Sequence, residues 1–409
     1  MRSIVLNTGT EILLGDVRDA HLSFIAQQIL PLGLRVQEQR TVPDGAAIRE
    51  NLGELMPRAD LIFVTGGLGP TTDDITRELI AELLGLELEL DDEILNKITR
   101  RLRARGIRAT DRISRQAYVP RGARVLPNDN GTAPGFYLPP NVNPARPSPH
   151  LFILPGPPRE LQPMFRDSAL PILREMAKPT AVRKLYKIAM VGESIVEEAV
   201  GEQLLAIPGV ELGYCARAGE VDLRIMGEPT VVAKADAVIK DKIGELIFSE
   251  NDETLEEVVV QLLAGRKETV AVAESCTGGF LANRITNVPG ASEVFLAGYV
   301  TYANQAKSDS LGIDLKLIEE NGAVSEPVVK AMAEGARLKA KATHALATTG
   351  IAGPGGGSKE KPVGTVFVAL ASANRETVVR KLFFPGDRET FKQLATQAAL
   401  EMLRKRLVK

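Results

Sequence analysis

"DLIFVTGGLGPTTDDITRELIAELLGL", residues 60–86, decides how this chain folds. Leu61 to Thr65 form a short apolar run of strand length, and it stops at a pair of glycines. From Ile75 to Leu86 the apolar residues recur three and four apart, as on one face of a helix. Strand, glycine turn and amphipathic helix make one βα unit, and the pattern repeats upstream. "SIVLNTG" (3–9) leads to the helical "AHLSFIAQQILPLG" (20–33). "LRVQEQRTV" (34–42) leads to "DGAAIRENLGELMPR" (44–58), with an Asp at the helix start. Such alternation predicts a parallel, doubly wound sheet whose ligand loops lie at the carboxyl ends of the strands. The Pro-rich "LPPNVNPARPSPH" (138–150) reads as a surface loop of the same domain.

Beyond residue 172 the texture changes. "VRKLYKIAMVGE" (182–193) and "GVELGYCARAGEVDLRIMGE" (209–228) flank the helical "SIVEEAVGEQLLA" (194–206), an α+β pattern too short for another doubly wound sheet. From about 251 the alternation returns, with strands expected at "TVAVAES" (269–275), "EVFLAGYVTY" (293–302), "HALATTG" (344–350) and "GTVFVAL" (364–370). The helical "ETFKQLATQAALEMLRKRL" (389–407) closes the chain. The expected architecture is α/β: two doubly wound α/β/α domains, 1–172 and 251–409, joined by a small α+β domain, 173–250. The loops "TGGLGP" and "TGIAGPGGG" look alike, but no fixed-period repeat links them.

Composition sets the bounds. A chain of 409 residues is too long for one ordinary core. Fifty Lys and Arg against 52 Asp and Glu leave a net charge of −2, which gives no support to a nucleic-acid or anionic-membrane partner. No stretch approaches the length of apolar chain that a spanning helix needs, and the first residues lack the apolar core of a signal peptide. Two distant cysteines, Cys215 and Cys276, form no disulfide framework and point to a reducing cytoplasm. With three scattered histidines they make a zinc site improbable, so any metal is expected to be a hard ion held by oxygens.

Four glycine loops of the first domain are candidates for one pocket. In "TGGLGPTTDDITREL" (65–79), Gly66, Gly67 and Gly69 let backbone amides approach a phosphate. Asp73 and Asp74, at the start of the following helix, would repel a bare pyrophosphate unless Mg²⁺ lay between them. The alternative is a cap, with Thr71 as N-cap and Asp74 as its acidic partner. Gly9, Thr10 and Glu11 end the first strand, Gly131 and Thr132 lie in "NGTAPG" (130–135), and Gly156 lies in "LPGPPRE" (154–160). Any one of these is an ordinary turn; together, on one sheet edge, they make a nucleotide-sized pocket.

The last domain opens with "AESCTGG" (273–279), three hydroxyl or thiol side chains before two glycines at a strand-to-helix turn. Ser275 as nucleophile needs a base, and no histidine lies nearby in sequence. "VTYANQAKSDSLG" (300–312) offers Tyr302 and Lys307, and a buried lysine with a lowered pKa can serve. The plain alternatives are Ser275 as a helix N-cap, Cys276 as a small core residue and Lys307 as a solvated helix lysine. "TTGIAGPGGG" (348–357) is either a connector or a phosphate cradle.

Taken together, "GTEILLGD…TGGLGPTTDD…NGTAPG…LPGPPRE" and "ESCTGG…VTYANQAK…GAVS…GIAGPGGG…KPVGTV" resemble the CinA-like, competence/damage-inducible family over nearly the whole chain. The resemblance implies a molybdopterin-binding-like N-terminal domain, a KH-like middle domain and a C-terminal nicotinamide mononucleotide amidohydrolase domain. "VGES" (191–194) is not the GXXG clamp of a nucleic-acid-binding KH module. Two activities are implied: hydrolysis of the nicotinamide mononucleotide carboxamide, without a metal, and cleavage of ADP-ribose to AMP and ribose 5-phosphate, with a divalent ion such as Mg²⁺ at Asp73 and Asp74. Small-molecule nucleotides are then the ligands, and a homodimer in the cytoplasm, with no nucleic-acid or membrane partner, is expected. In this scheme Ser275 attacks the amide carbon and Lys307 takes its proton. Backbone amides around Gly278 and Gly279 hold the oxyanion, Thr277 binds substrate and Tyr302 positions the ring or the lysine. Gly353, Gly355 and Gly356 let the backbone approach the 5′-phosphate. Cys276, or a water activated by the lysine, is the rival attacking group. Two positions depart from the family pattern: His21 in "DVRDAH", where the family has Asn, and "LPGPP" in place of "LPGVP". Competing readings are a molybdopterin- or nucleotide-binding protein and a non-catalytic partner in competence.

Overall fold

The structure is a computed structural model that describes residues 1–106, 111–177 and 181–408. It forms two compact units, Met1–Val182 and Arg183–Lys409.

In the first unit the strands are β1 (Arg2–Thr8), β2 (Arg35–Val42), β3 (Leu61–Thr65), β4 (Leu88–Leu90), β5 (Tyr118–Pro120), β6 (Arg124–Leu126), β7 (Gly135–Leu138) and β8 (His150–Leu154). Six of them form one sheet in the order β2-β1-β3-β8-β7-β6, while β4 and β5 pair separately. β1 is parallel to β2 and β3, and β3 is parallel to β8. β7 is antiparallel to both β8 and β6, so the sheet is mixed where an all-parallel one was expected. The reason lies in the connections: the loop between β7 and β8 contains no helix, and parallel neighbours need a longer crossover. Strand residues alternate between two cores. Val5, Phe63, Phe152 and Leu154 face one cluster, and Ile4, Leu6, Ile62, Val64 and Ile153 face the other. Both sheet faces are therefore covered, as a doubly wound fold requires.

The second unit begins with β9 (Val182–Ala189), β10 (Glu211–Arg217), β11 (Glu220–Gly227) and β12 (Ile247–Ser249), in the order β10-β11-β9-β12. Helices Glu193–Leu205 and Pro229–Ile243 complete a β-α-β-β-α-β succession, the split-βαβ arrangement. Ala189 and Phe248 of this small sheet belong to the same apolar cluster as the C-terminal core, which makes one unit of the two.

Residues 270–383 carry the remaining sheet, with β13 (Val270–Glu274), β14 (Phe295–Val300), β15 (His344–Gly350), β16 (Thr365–Ser372) and β17 (Arg375–Phe383), ordered β14-β13-β15-β16-β17. β13 is parallel to β14 and β15, and β16 is antiparallel to β15 and β17. The alternation "VAVA" divides this sheet by size. Val270, Val272, Leu346, Val366, Val368 and Leu370 pack with helices Leu255–Arg266 and Arg388–Leu407. Ala271, Ala273, Ala345, Ala347, Ala369 and Ala371 present a shallow face to helix Glu326–Ala340. β17, a charged strand at the sheet edge, escapes a sequence reading because "RETVVRKLF" carries its charged and apolar residues in pairs, without the strict alternation that marks a strand.

Candidate functional site

Ser275 sits immediately after β13, where the chain turns into helix Phe280–Thr286. Gly279 is the N-cap at φ 92°, a conformation that side chains beyond glycine rarely adopt. The turn is held from below by Glu274, a fully buried carboxylate. It accepts from the amides of Gly279 (3.0 Å), Leu281 (3.0 Å) and Ala282 (2.8 Å), a charged cap on the orphan donors of the helix. The Gly278 amide donates to the Ser275 carbonyl. The two amides expected to hold an oxyanion are thus already committed. The adjacent amides of Cys276 and Thr277 donate to no backbone carbonyl among the described residues.

Lys307 lies on helix Asn304–Leu311, fully buried, with its Nζ 3.2 Å from Ser275 Oγ. The solvated-lysine alternative is excluded by that burial. Nζ also donates to the carbonyls of Thr301 (2.8 Å) and Tyr302 (3.2 Å), and among the described residues it makes no ion pair. Burial therefore lowers its pKa below the ordinary lysine value. A neutral amine has two N–H bonds and one lone pair. The contacts of Nζ to Ser275 Oγ and the two carbonyls match the three N–H donors of the ammonium. Once deprotonated, an amine that keeps the two carbonyl bonds turns its lone pair to the Ser275 hydroxyl, which is how a general base must point.

Cys276 is also buried, and burial foremost pushes its thiol up to about 12, far from thiolate at neutral pH. Thr277 is fully buried, with its hydroxyl 2.7 Å from that of Thr348, so the side chain is a partner of β15 and not a surface open to ligand. Tyr302 is 61% exposed. Its hydroxyl accepts from Arg388 Nη2 at 2.8 Å, while Arg388 Nη1 donates to the Gly353 carbonyl at 2.9 Å. Arg388 ties the glycine loop to the segment that holds Lys307, leaving further guanidinium donors for an anion. Gly353 is buried, and Gly355 and Gly356 are exposed. Arg388 and Glu274 went unnoticed in the sequence. A glutamate ending a buried strand five residues before a helix is a legible cap signal, whereas nothing local marks the arginine.

In the first unit a cavity of about 480 Å³ opens at the carboxyl ends of β1, β3 and β8. Of the expected residues, Gly9, Glu11, Gly66, Gly67, Gly69, Asp73, Asp74, Thr132 and Gly156 line it. Gly66, at φ 98°, shows why glycine is needed: a Cβ there would lie 2.5 Å from the carbonyl and hydroxyl oxygens of Thr8. Three expected residues fall elsewhere. Thr10 is tied to Asp44 through its amide (3.0 Å) and hydroxyl (3.2 Å). Gly131 donates to Asn128 Oδ1 at 2.7 Å beside a neighbouring smaller cavity. Thr71 does not line the cavity, and neither does it cap the helix. Helix Thr76–Leu84 starts later than expected, with Ile75 at its N-cap. The Thr71 amide and hydroxyl instead donate to Asp74, and the hydroxyl also faces Asp73. The Thr71 hydroxyl first, and then the backbone amide of Asp73 itself, lower the Asp73 pKa.

The cavity is strongly acidic, with Asp19, Asp44 and Glu160 joining Glu11, Asp73 and Asp74 against Arg18. His21 also lines it and is held at both ring nitrogens. Nε2 lies 2.6 Å from the Gly156 carbonyl, to which it donates, and Nδ1 lies 3.1 Å from the Thr65 hydroxyl. The ring thus fastens the loop after β8 to the end of β3. Among the described residues no group of three His, Cys, Asp or Glu side chains is gathered as a metal cluster. Two cavity-lining carboxylates nonetheless fit an ion that takes its remaining ligands from water and phosphate, as Mg²⁺ does.

These features define a class: a two-unit α/β protein with an acidic strand-end cavity in one unit and a buried Ser–Lys pair at a strand-to-helix turn in the other. The pattern of the CinA C-terminal domain matches residues 252–407, and that of a probable molybdopterin binding domain matches residues 4–175. A CinA-like protein of Akkermansia muciniphila is 42% identical over 98% of this chain and 96% of its own length. A putative competence-damage inducible protein of Caldicellulosiruptor bescii is 40% identical over 99% of this chain and 98% of its own. Among solved structures, the competence/damage inducible protein CihA of Agrobacterium tumefaciens is 37% identical, covering 38% of this chain and 98% of its own, with a TM-score of 0.36. The chain belongs to the CinA-like, competence-damage inducible family, with a molybdopterin-binding-like domain at its N-terminal end. Among the described residues no helix is long and apolar enough to cross a membrane.

Proposed function

We propose that the C-terminal part of the chain hydrolyses the carboxamide of nicotinamide mononucleotide, giving nicotinate mononucleotide and ammonia. The observation that carries this reading is the buried Lys307 side chain, whose Nζ lies within 3.2 Å of Ser275 Oγ and of two backbone carbonyls, with no carboxylate among its hydrogen-bond partners in the described residues. Ser275 Oγ forms a bond to the amide carbon, the carbonyl π pair moves to oxygen, and the hydroxyl proton passes to Lys307. Collapse breaks the C–N bond, and Lys307 returns that proton to the departing nitrogen, which leaves as ammonia. Water then hydrolyses the ester, its proton going through Lys307 to Ser275 Oγ. The oxyanion is assigned to the amides of Cys276 and Thr277 in place of those around Gly278 and Gly279. Arg388 and the loop of Gly353, Gly355 and Gly356 receive the 5′-phosphate, and Tyr302 positions the ring beside them.

The acidic cavity of the first unit is assigned the cleavage of ADP-ribose to AMP and ribose 5-phosphate. Its carboxylates outnumber its cations, so a pyrophosphate enters only with a countercharge, and Asp73 and Asp74 are the residues to hold a divalent ion. When bound, that ion supplies charge neutralisation and polarisation of the phosphorus. Gly66, Gly67 and Gly156 allow close backbone approach, and His21 keeps the Gly156 loop in place. The bonds from Thr71 to both aspartates favour a second reading, in which this cavity binds a pterin or nucleotide without cleaving it. Three domains, 1–172, 173–250 with a KH-like character, and 251–409, as well as a cytoplasmic homodimer, belong to the same proposal. Product analysis with the full chain tests it. Ammonia from nicotinamide mononucleotide and AMP from ADP-ribose are expected; release of neither removes the catalytic reading, and ammonia alone leaves the first unit a binding module.

A further inference from the structure

A groove of about 630 Å³ lies in the second unit, bounded by one face of β17, one face of helix Arg388–Leu407 and the turn after β9. It shares no lining residue with the Ser275 site. Register places its Arg375 end opposite that site: Ser372, just before Arg375, pairs with His344 at the start of β15, whereas Ser275 follows the far end of β13.

The floor is apolar, with Met190, Leu370, Val378 and Met402, and the walls carry Arg375, Arg380, Lys405 and Arg406 against Glu376 and Glu401. Glu401 is already spent. It is ion-paired with Arg404 at 2.7 Å and with Lys405 at 3.2 Å. Arg375, Arg380 and Arg406 make no ion pair among the described residues, which leaves three guanidinium groups to one free carboxylate. Arg406 Nη1 is moreover buried and has no acceptor. A buried cationic donor without a partner is costly, and such a group in a native fold calls for an acceptor. The field at this end is felt by His344. Burial first lowers its pKa; Glu268 opposes that, and Arg406 and Arg375 add to the lowering.

Guanidinium donors above an apolar floor suit a ligand with a phosphate at one end and a planar or apolar body at the other. The volume is that of a small-ligand site. We propose that this groove binds a phosphate ester of nucleoside-monophosphate size, with Arg406 and Arg375 on the phosphate and Met402, Val378 and Met190 against the body.

The test is calorimetric titration of the full chain with AMP in EDTA, where the acidic cavity of the first unit lacks a countercharge for an anion. Binding is expected to weaken by about tenfold or more in the Arg375→Gln/Arg406→Gln double variant, two charge-assisted contacts having been removed. Val378→Trp, which fills the floor from an exposed position, is expected to weaken AMP while sparing inorganic phosphate. Lys330→Gln/Lys339→Gln, two exposed cations of another helix, is the control and should leave the isotherm unchanged. An unchanged isotherm in the arginine double variant, or an equal loss in the lysine control, overturns the proposal. Arg375 and Arg406 lie outside the phosphate cradle assigned to Arg388, so a loss of AMP affinity in their double variant is independent of the Ser275 assignment.

Discussion

Lys307 carries the chemical argument at the scale of single residues. Only its neutral form can take the Ser275 proton, and burial lowers its pKa from the ordinary 10.5. Ammonia release should therefore rise with pH along a limb set by Lys307, complete below the range of an ordinary lysine. The linkage sign agrees: the native state binds fewer protons than the unfolded chain between the lowered value and 10.5, so stability rises with pH across that window. Lys307→Arg should abolish turnover, because a guanidinium stays charged and cannot act as base. A Lys307→Arg protein that kept its rate and pH profile would remove Lys307 from the mechanism. Ser275, Lys307 and Cys276 were legible as candidates from residue type alone. That Lys307 has two carbonyl partners and no carboxylate was not, since Thr301 and Tyr302 act through their backbone, which side-chain identity does not encode.

The decisive element is the turn from β13 into helix Phe280–Thr286. Glu274 satisfies three amides there, and removing the carboxylate strands them in a buried place. Glu274→Ala should cost on the order of 2–3 kcal/mol in denaturant unfolding and lower ammonia release by displacing Ser275; Glu274→Gln, which keeps an acceptor, should cost less. Full stability in Glu274→Ala would mean that the turn is held by something else. Strand and helix order was readable because "LIFVT", "VAVAE" and "HALATTG" are short apolar runs stopped by glycine or small polar residues. The antiparallel edges were not readable. β6 and β17 are short or charged, and pairing direction depends on connections that local pattern does not carry. The helix after "TTDD" was misplaced by a similar limit, as Asp74 turns back to Thr71 instead of forward to the helix.

Across the whole molecule the account separates a metal-dependent cavity from a metal-free one. EDTA should abolish AMP formation from ADP-ribose and Mg²⁺ should restore it, with ammonia release unaffected. Chelation that silences both activities, or neither, contradicts that separation. A fragment starting at residue 252 should still fold and release ammonia, because the Ser275 site and its sheet lie within it. It should unfold at lower temperature than the full chain, since Phe248 and Ala189 no longer cover the C-terminal cluster, and burial of a phenylalanine contributes about 1.5–3 kcal/mol. A fragment that folds but does not turn over would mean that residues before 252 complete the site. The central claim is that Ser275, activated by Lys307, opens the amide. It is tested most directly by the rate of ammonia release from nicotinamide mononucleotide in Ser275→Ala and Cys276→Ala, each checked for native circular dichroism. The account predicts no release from Ser275→Ala and a near wild-type rate from Cys276→Ala; a live serine variant beside a dead cysteine variant would contradict it.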